Sequence, residues 1–153
     1  MTKYLLFAFL AIVSSSCFDQ GDCLITATNL MQVKLLNKTD RKAYPIKFTS
    51  VTVSGSNSIL YKDKEATTLL LPINPGQSST TFTLNYGTTA STITVSYSQE
   101  IRVVAVDCGA FTYYKELQIT NTDFAQDSIQ LVNTALFHDV STQTYATNVE
   151  IFF

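Results

Sequence analysis

Apolar and polar residues alternate one by one along much of this chain. In Thr81-Phe82-Thr83-Leu84-Asn85-Tyr86 every second side chain is apolar, and Thr92-Ile93-Thr94-Val95-Ser96-Tyr97 repeats the pattern. Successive side chains of a strand point to opposite faces, so this spacing buries one face and leaves the other to water. On a helix the same residues would scatter around the axis. Gly87-Thr88-Thr89 between the two segments reads as a turn, which makes an antiparallel hairpin. Residues 101–108, rich in Val, read as a third strand, and residues 111–120 as a fourth, closed by the turn residues Asn121-Thr122-Asp123. Residues 128–137 alternate Ile129, Leu131, Asn133 and Ala135, and residues 148–153 place Val149, Ile151 and Phe153 on one face. Upstream, residues 24–36 are long enough for one bent strand. Residues 46–53, 59–61 and 67–71 are shorter strands, separated by the loop Ser54-Gly55-Ser56-Asn57-Ser58. Pro72 and Asn74-Pro75-Gly76 force a turn. About eight to ten strands at this spacing predict an all-β fold, a single antiparallel β-sandwich of immunoglobulin-like or related type.

Composition narrows the function classes. The chain has 153 residues, Lys and Arg number 10 and Asp and Glu 12, so there is too little positive charge for a nucleic-acid binder. One His cannot build a His-rich metal site, and no metal or cofactor is implied. Ser and Thr take the place of charge, 14 and 22 of them, and from Ala66 to Gln99 no residue is charged at all. One explanation of that stretch is a hairpin with one buried face and a Thr-covered outer face. The other is a neutral face held against an envelope partner or a second copy, since uncharged edges are what single sheets avoid.

The N-terminus reads as an address. Lys3 precedes an apolar run from Leu5 to Val13, followed by Ser14-Ser15-Ser16 and Cys17. A run this short falls well below the ~20 residues of a spanning helix, and the order of charge, apolar run and small residues is that of an export signal. Val13-Ser14-Ser15-Ser16-Cys17 resembles a bacterial lipobox, with Ser14 where Leu is usual. The resemblance implies cleavage after residue 16, a lipid on Cys17, and a membrane reached through that anchor. The expected organisation is a signal over 1–16, a short tether over 17–22 and a sandwich domain over 23–153. The location is then the bacterial cell envelope, most simply the outer membrane on its periplasmic or surface face. The alternative is an ordinary secretory signal with Cys17 left as a structural cysteine. If Cys17 carries lipid, Cys23 and Cys108 remain, and an exported protein pairs them. Two buried free thiols are the other reading of that pair.

Beyond the signal, the chain resembles a family of uncharacterised Bacteroidetes-type lipoproteins, a domain family of unknown function. The matching features are Cys23 soon after the anchor, Leu71-Pro72-Ile73, Phe82-Leu84-Tyr86, the strand ending at Tyr97, Cys108-Gly109, Ser128-Ile129 and the final strand through Ile151 and Phe153. The resemblance implies a lipoprotein, the Cys23–Cys108 pair and an all-β fold. It carries no activity and no catalytic residue.

No catalytic constellation stands out. His138-Asp139 are neighbours, which on a strand points the two side chains apart, and there is no Gly-x-Ser-x-Gly elbow. Asp63, Glu65, Glu100, Asp107 and Glu116 could supply paired carboxylates, but nothing in the sequence brings two together. Asn37-Lys38-Thr39 matches a glycosylation sequon by chance in a chain with a bacterial-type signal. The expected role is therefore non-enzymatic: binding, assembly or envelope structure. A carbohydrate- or ligand-binding lipoprotein is the alternative, with Tyr61, Tyr113, Tyr114 and Tyr145 as candidate exposed rings. A remote alternative is a small outer-membrane β-barrel, suggested by the terminal Phe153 on an alternating strand.

Overall fold

A computed structural model describes Cys23, residues 25–105 and residues 108–153. The expected signal, Cys17 and the tether lie outside these residues, as do Leu24, Val106 and Asp107. The described chain is all-β. In order its strands are β1 (Leu30–Leu36), β2 (Ile46–Val53), β3 (Ile59–Ala66), β4 (Thr68–Pro72), β5 (Ser79–Tyr86), β6 (Thr89–Ala105), β7 (Gly109–Thr122), β8 (Ile129–Leu131), β9 (His138–Asp139), β10 (Thr144–Tyr145) and β11 (Thr147–Phe152), with one 3-10 turn at Gln126–Ser128. They form a four-stranded sheet in the order β4-β1-β11-β8, a five-stranded sheet β3-β2-β5-β6-β7, and a small pair β10-β9.

Both large sheets are open, with β4, β8, β3 and β7 at their edges. The barrel alternative is thereby corrected, because a barrel must close its hydrogen-bond ladder on itself. The expectation of a wholly antiparallel fold is corrected as well. β1 and β11 run parallel, with Val33 opposite Val149 and Leu35 opposite Ile151. That pairing joins the two ends of the described chain, and alternation within either strand carries no information about its direction.

The alternation sorts the core in β1, β4, β5 and β6, while in β2 a register shift between Phe48 and Ser50 changes which side chains face inward. Phe48 and Val51 of β2, Phe82 and Leu84 of β5, Ile93 and Val95 of β6 and Leu117 of β7 are fully buried. They share a single cluster with Met31, Val33 and Leu35 of β1, Leu69 and Leu71 of β4, and Val149 and Ile151 of β11. Each such side chain contributes roughly 1.5–3 kcal/mol by leaving water. The intervening residues of β5 and β6 form a hydroxyl face, where Thr81 stands opposite Thr94 and Thr83 opposite Thr92. The Thr81 and Thr94 hydroxyls bond each other at 2.9 Å. The charge-free stretch therefore covers β4, β5 and the first half of β6; the β5–β6 hairpin is buried on one side and hydroxylated on the other, whereas the outer side of β4 carries Thr68, Leu70 and Pro72.

Three strand expectations are corrected. Residues 24–36 become strand only from Leu30. Residues 101–105 are not a third strand but the continuation of β6, since Ser98-Gln99-Glu100 contains no Gly, Pro, Asn or Asp to turn the chain. Of residues 128–137 only Ile129–Leu131 is strand. There the Asn148 side chain intervenes. It is fully buried, its amide donates to Asn133 O at 3.2 Å and Ala135 O at 2.8 Å, and its oxygen accepts the Gln32 N–H at 3.0 Å. The carbonyls it captures are lost to a ladder with β11. The chain instead crosses to the edge of β7, where Leu117 N–H donates to Thr134 O and Leu136 N–H to Tyr114 O, both at 2.9 Å. Glu116, at φ +57°, makes the bulge that turns Leu117 inward.

At one end of the molecule Tyr86, Phe153, Phe48 and Phe124 meet edge to face, with ring centroids 5.3–6.1 Å apart. Phe153 is thus an end seal, held by its N–H to Leu36 O and its C=O to Lys38 N–H.

Candidate functional site

The opposite end is built by the far half of β6 and the start of β7. Pairing of β5 with β6 stops at Ser96, while β6 and β7 continue together to Ala105 and Gly109. The hairpin therefore projects beyond its sheet as an arm, and residues 101–105, 109 and 110 are all exposed. Cys108, in the turn of this arm, is disulfide-bonded to Cys23, with Cα atoms 5.7 Å apart. The pairing expected from the cysteine count is present. It fastens the start of the described chain to the arm. From there the chain runs past His138, whose N–H donates to Thr26 O at 3.1 Å, and into β1.

A groove of about 290 Å³ opens at the base of the arm, lined by Arg102, Tyr113, Tyr114, Leu136 and Phe137 among others. The cross-strand register places Glu100 beside Tyr113. The Arg102 guanidinium clasps Glu100 with two bonds of 2.7 and 2.9 Å and lies 5.4 Å from the Tyr113 ring centroid. Lys115 also pairs with Glu100. These bonds, that from Arg102 first, hold the Glu100 carboxyl down at about 2, and Glu100 in turn raises the Arg102 guanidinium. The cluster is solvated and internally neutralised apart from one positive charge, so it offers an anion only a weak, screened attraction.

The four candidate tyrosines are not brought together. Tyr113 and Tyr114 both border the groove, but Tyr114 is only 5% exposed and packs edge to face on Tyr97 at 5.8 Å. Burial pushes its phenol upward, with Tyr97 adding to the shift. Tyr61 accepts the Leu70 N–H at 2.9 Å and so ties β3 to β4 across the two large sheets. Tyr145 stacks on His138 with ring centroids 4.5 Å apart. Only Tyr113 stands as a half-buried ring in the groove without another aromatic ring against it among the described residues.

The acids and the histidine are likewise separated in role. The Asp139 carboxylate accepts the Ser141 hydroxyl at 2.6 Å and the Ser141 and Thr142 N–H groups, which lower its pKa, the hydroxyl first. It is engaged by its own turn rather than by His138. Among the described residues no three His, Cys, Asp or Glu side chains cluster as a metal site would require, and no helix is long and apolar enough to cross a membrane. What sequence reasoning missed is the arm itself. Its signal was present as Ile101 and Val103, an apolar alternation continuing past the point where hydroxyl partners cease.

One family profile, described as a family of unknown function (DUF6452), matches residues 48–153. No curated protein and no solved structure matches the chain.

Proposed function

The chain belongs to the DUF6452 family of unknown function, and from that premise we propose that it is an exported lipoprotein of the bacterial envelope with a non-enzymatic binding, assembly or structural role. Its finer architecture in this reading is one β-sandwich of immunoglobulin-related type behind a cleaved signal, with a lipid on Cys17. The observation that carries the proposal is the Cys23–Cys108 disulfide. A stable disulfide belongs to an oxidising compartment, and it leaves Cys17, at the end of the small-residue stretch, as the one cysteine outside the pair. Acyl chains on that residue anchor at ~0.8 kcal/mol per buried CH₂ without a spanning segment. Metabolic labelling with an alkyne fatty acid tests the anchor. The full-length protein takes up label and Cys17→Ala does not; a full-length protein without label removes the proposal.

A second reading, a small carbohydrate or similar ligand, is favoured by the groove in which Tyr113 lies beside Arg102. An aromatic face next to a fixed polar group suits a sugar ring. Glycan-array binding that disappears with Tyr113→Ala supports it, and an array without binding removes it.

A further inference from the structure

Ile101 is 74% and Val103 71% exposed, although both lie on the row of β6 side chains that is buried at Ile93, Val95 and Tyr97. The cross-strand register sets Ile101 against Thr112 and Val103 against Ala110, so the arm presents one small apolar face of β-branched side chains. No strand of the four-stranded sheet covers it. Val104, on the other side of the arm, is 38% exposed as well. Two neighbouring β-branched side chains at the end of a projecting hairpin make a small apolar surface that can seat against a partner phase.

The disulfide indicates which surface. Cys23 is fixed to Cys108 in the turn of this arm. At ~3.5 Å per residue the chain from Cys17 to Cys23 reaches at most about 20 Å. Thr89, the other end of β6, lies about 45 Å from Val103 along the strand at ~3.3 Å per residue. A lipid at Cys17 therefore holds the arm close to the bilayer and cannot bring the aromatic end of the domain there instead.

Building on the lipid anchor proposed above, we infer that the β6–β7 arm is a membrane-contact surface, with Ile101 and Val103 seated in the headgroup region of the bilayer that carries the anchor. The domain then stands on the membrane in a set orientation. Its hydroxyl-covered β5–β6 face and the groove at Tyr113 are presented at fixed heights above the lipid.

The chain contains no Trp, so one introduced residue reports alone. The lipidated full-length Val103→Trp protein, reconstituted into phosphatidylethanolamine and phosphatidylglycerol vesicles with brominated acyl chains, is expected to lose about half of its emission relative to unbrominated vesicles, as for a side chain ~5–10 Å into the interface. Thr83→Trp, on the hydroxyl face, is expected to show no change. Ile101→Trp repeats the measurement should Val103→Trp perturb the arm. Protein that floats with the vesicles yet is unquenched at both arm positions overturns the inference while leaving the anchor standing. Quenching at Thr83→Trp equal to that on the arm also overturns it. A blue-shifted emission that brominated acyl chains do not quench indicates that a second copy, not lipid, covers the arm, and overturns it too. Protein that fails to float with the vesicles removes the anchor and the inference together.

Discussion

Asn148→Ala is expected to be the most damaging single truncation of a polar side chain in the described fold. Asn148 is fully buried in β11, and its amide makes three hydrogen bonds to backbone groups: one accepted from Gln32 and two donated to Asn133 and Ala135. A neutral hydrogen bond contributes ~1 kcal/mol net, and a buried partner left without one costs ~1–3 kcal/mol. The three lost bonds together give about 3–4 kcal/mol, since the two carbonyls at the edge can recover some solvation. For a domain of this size that lowers Tm by roughly 10–15 °C, out of a total stability of ~5–15 kcal/mol. The assay is thermal unfolding by circular dichroism with the disulfide intact. Asn148→Asp sharpens it. The carboxylate keeps the bond from Gln32 but faces two carbonyl oxygens in a buried place, so its folded pKa rises above the unfolded value. Stability in that variant is thus greatest below the unfolded carboxyl value of ~4 and falls as pH rises through the raised folded one. A Tm change under about 2 °C for Asn148→Ala would refute the reasoning, because the crossing from β8 to β7 would then not depend on this amide.

Two further outcomes are expected. Cys23→Ser with Cys108→Ser, or reduction, removes a link across a separation of 85 residues, which the chain-entropy account values at about 4.5 kcal/mol. Tm should fall, and amides of residues 101–105 should exchange first; an unchanged Tm and unchanged exchange contradict this. Glu100, held at about 2 by Arg102 and Lys115, has a depressed folded pKa. Its contribution is present above the ordinary carboxyl value and is lost as pH falls toward 2, so Glu100→Gln should flatten the acid side of the stability profile. An NMR titration of Glu100 with an ordinary glutamate midpoint contradicts the clasp.

Much of the five-stranded sheet was legible in the residues. β2 occupies the expected residues 46–53, and the β5–β6 hairpin turns at Gly87, where φ is +54°. Both rest on local signals: alternation for the strands and a glycine where left-handed backbone is needed. The cysteine pair was legible by counting, given a use for Cys17. What was not legible is non-local. The parallel match of β1 with β11 depends on elements at the two ends of the described chain. The break after Leu131 depends on Asn148, whose side chain acts on a segment more than ten residues away, while the local alternation of Asn133 and Ala135 argues for strand. The candidate tyrosines rest on residue type alone, a ring suited to stacking. Tyr61 and Tyr114 are instead used inside the fold, one to bond β4 and one to pack on Tyr97.

The intact mass of the N-terminal peptide of the protein isolated from membranes tests the central claim most directly. A peptide beginning at Cys17 and carrying a diacylglyceryl mass, with Cys23 still linked to Cys108, is the predicted result. A peptide that runs unmodified from Met1 through Cys17 contradicts it.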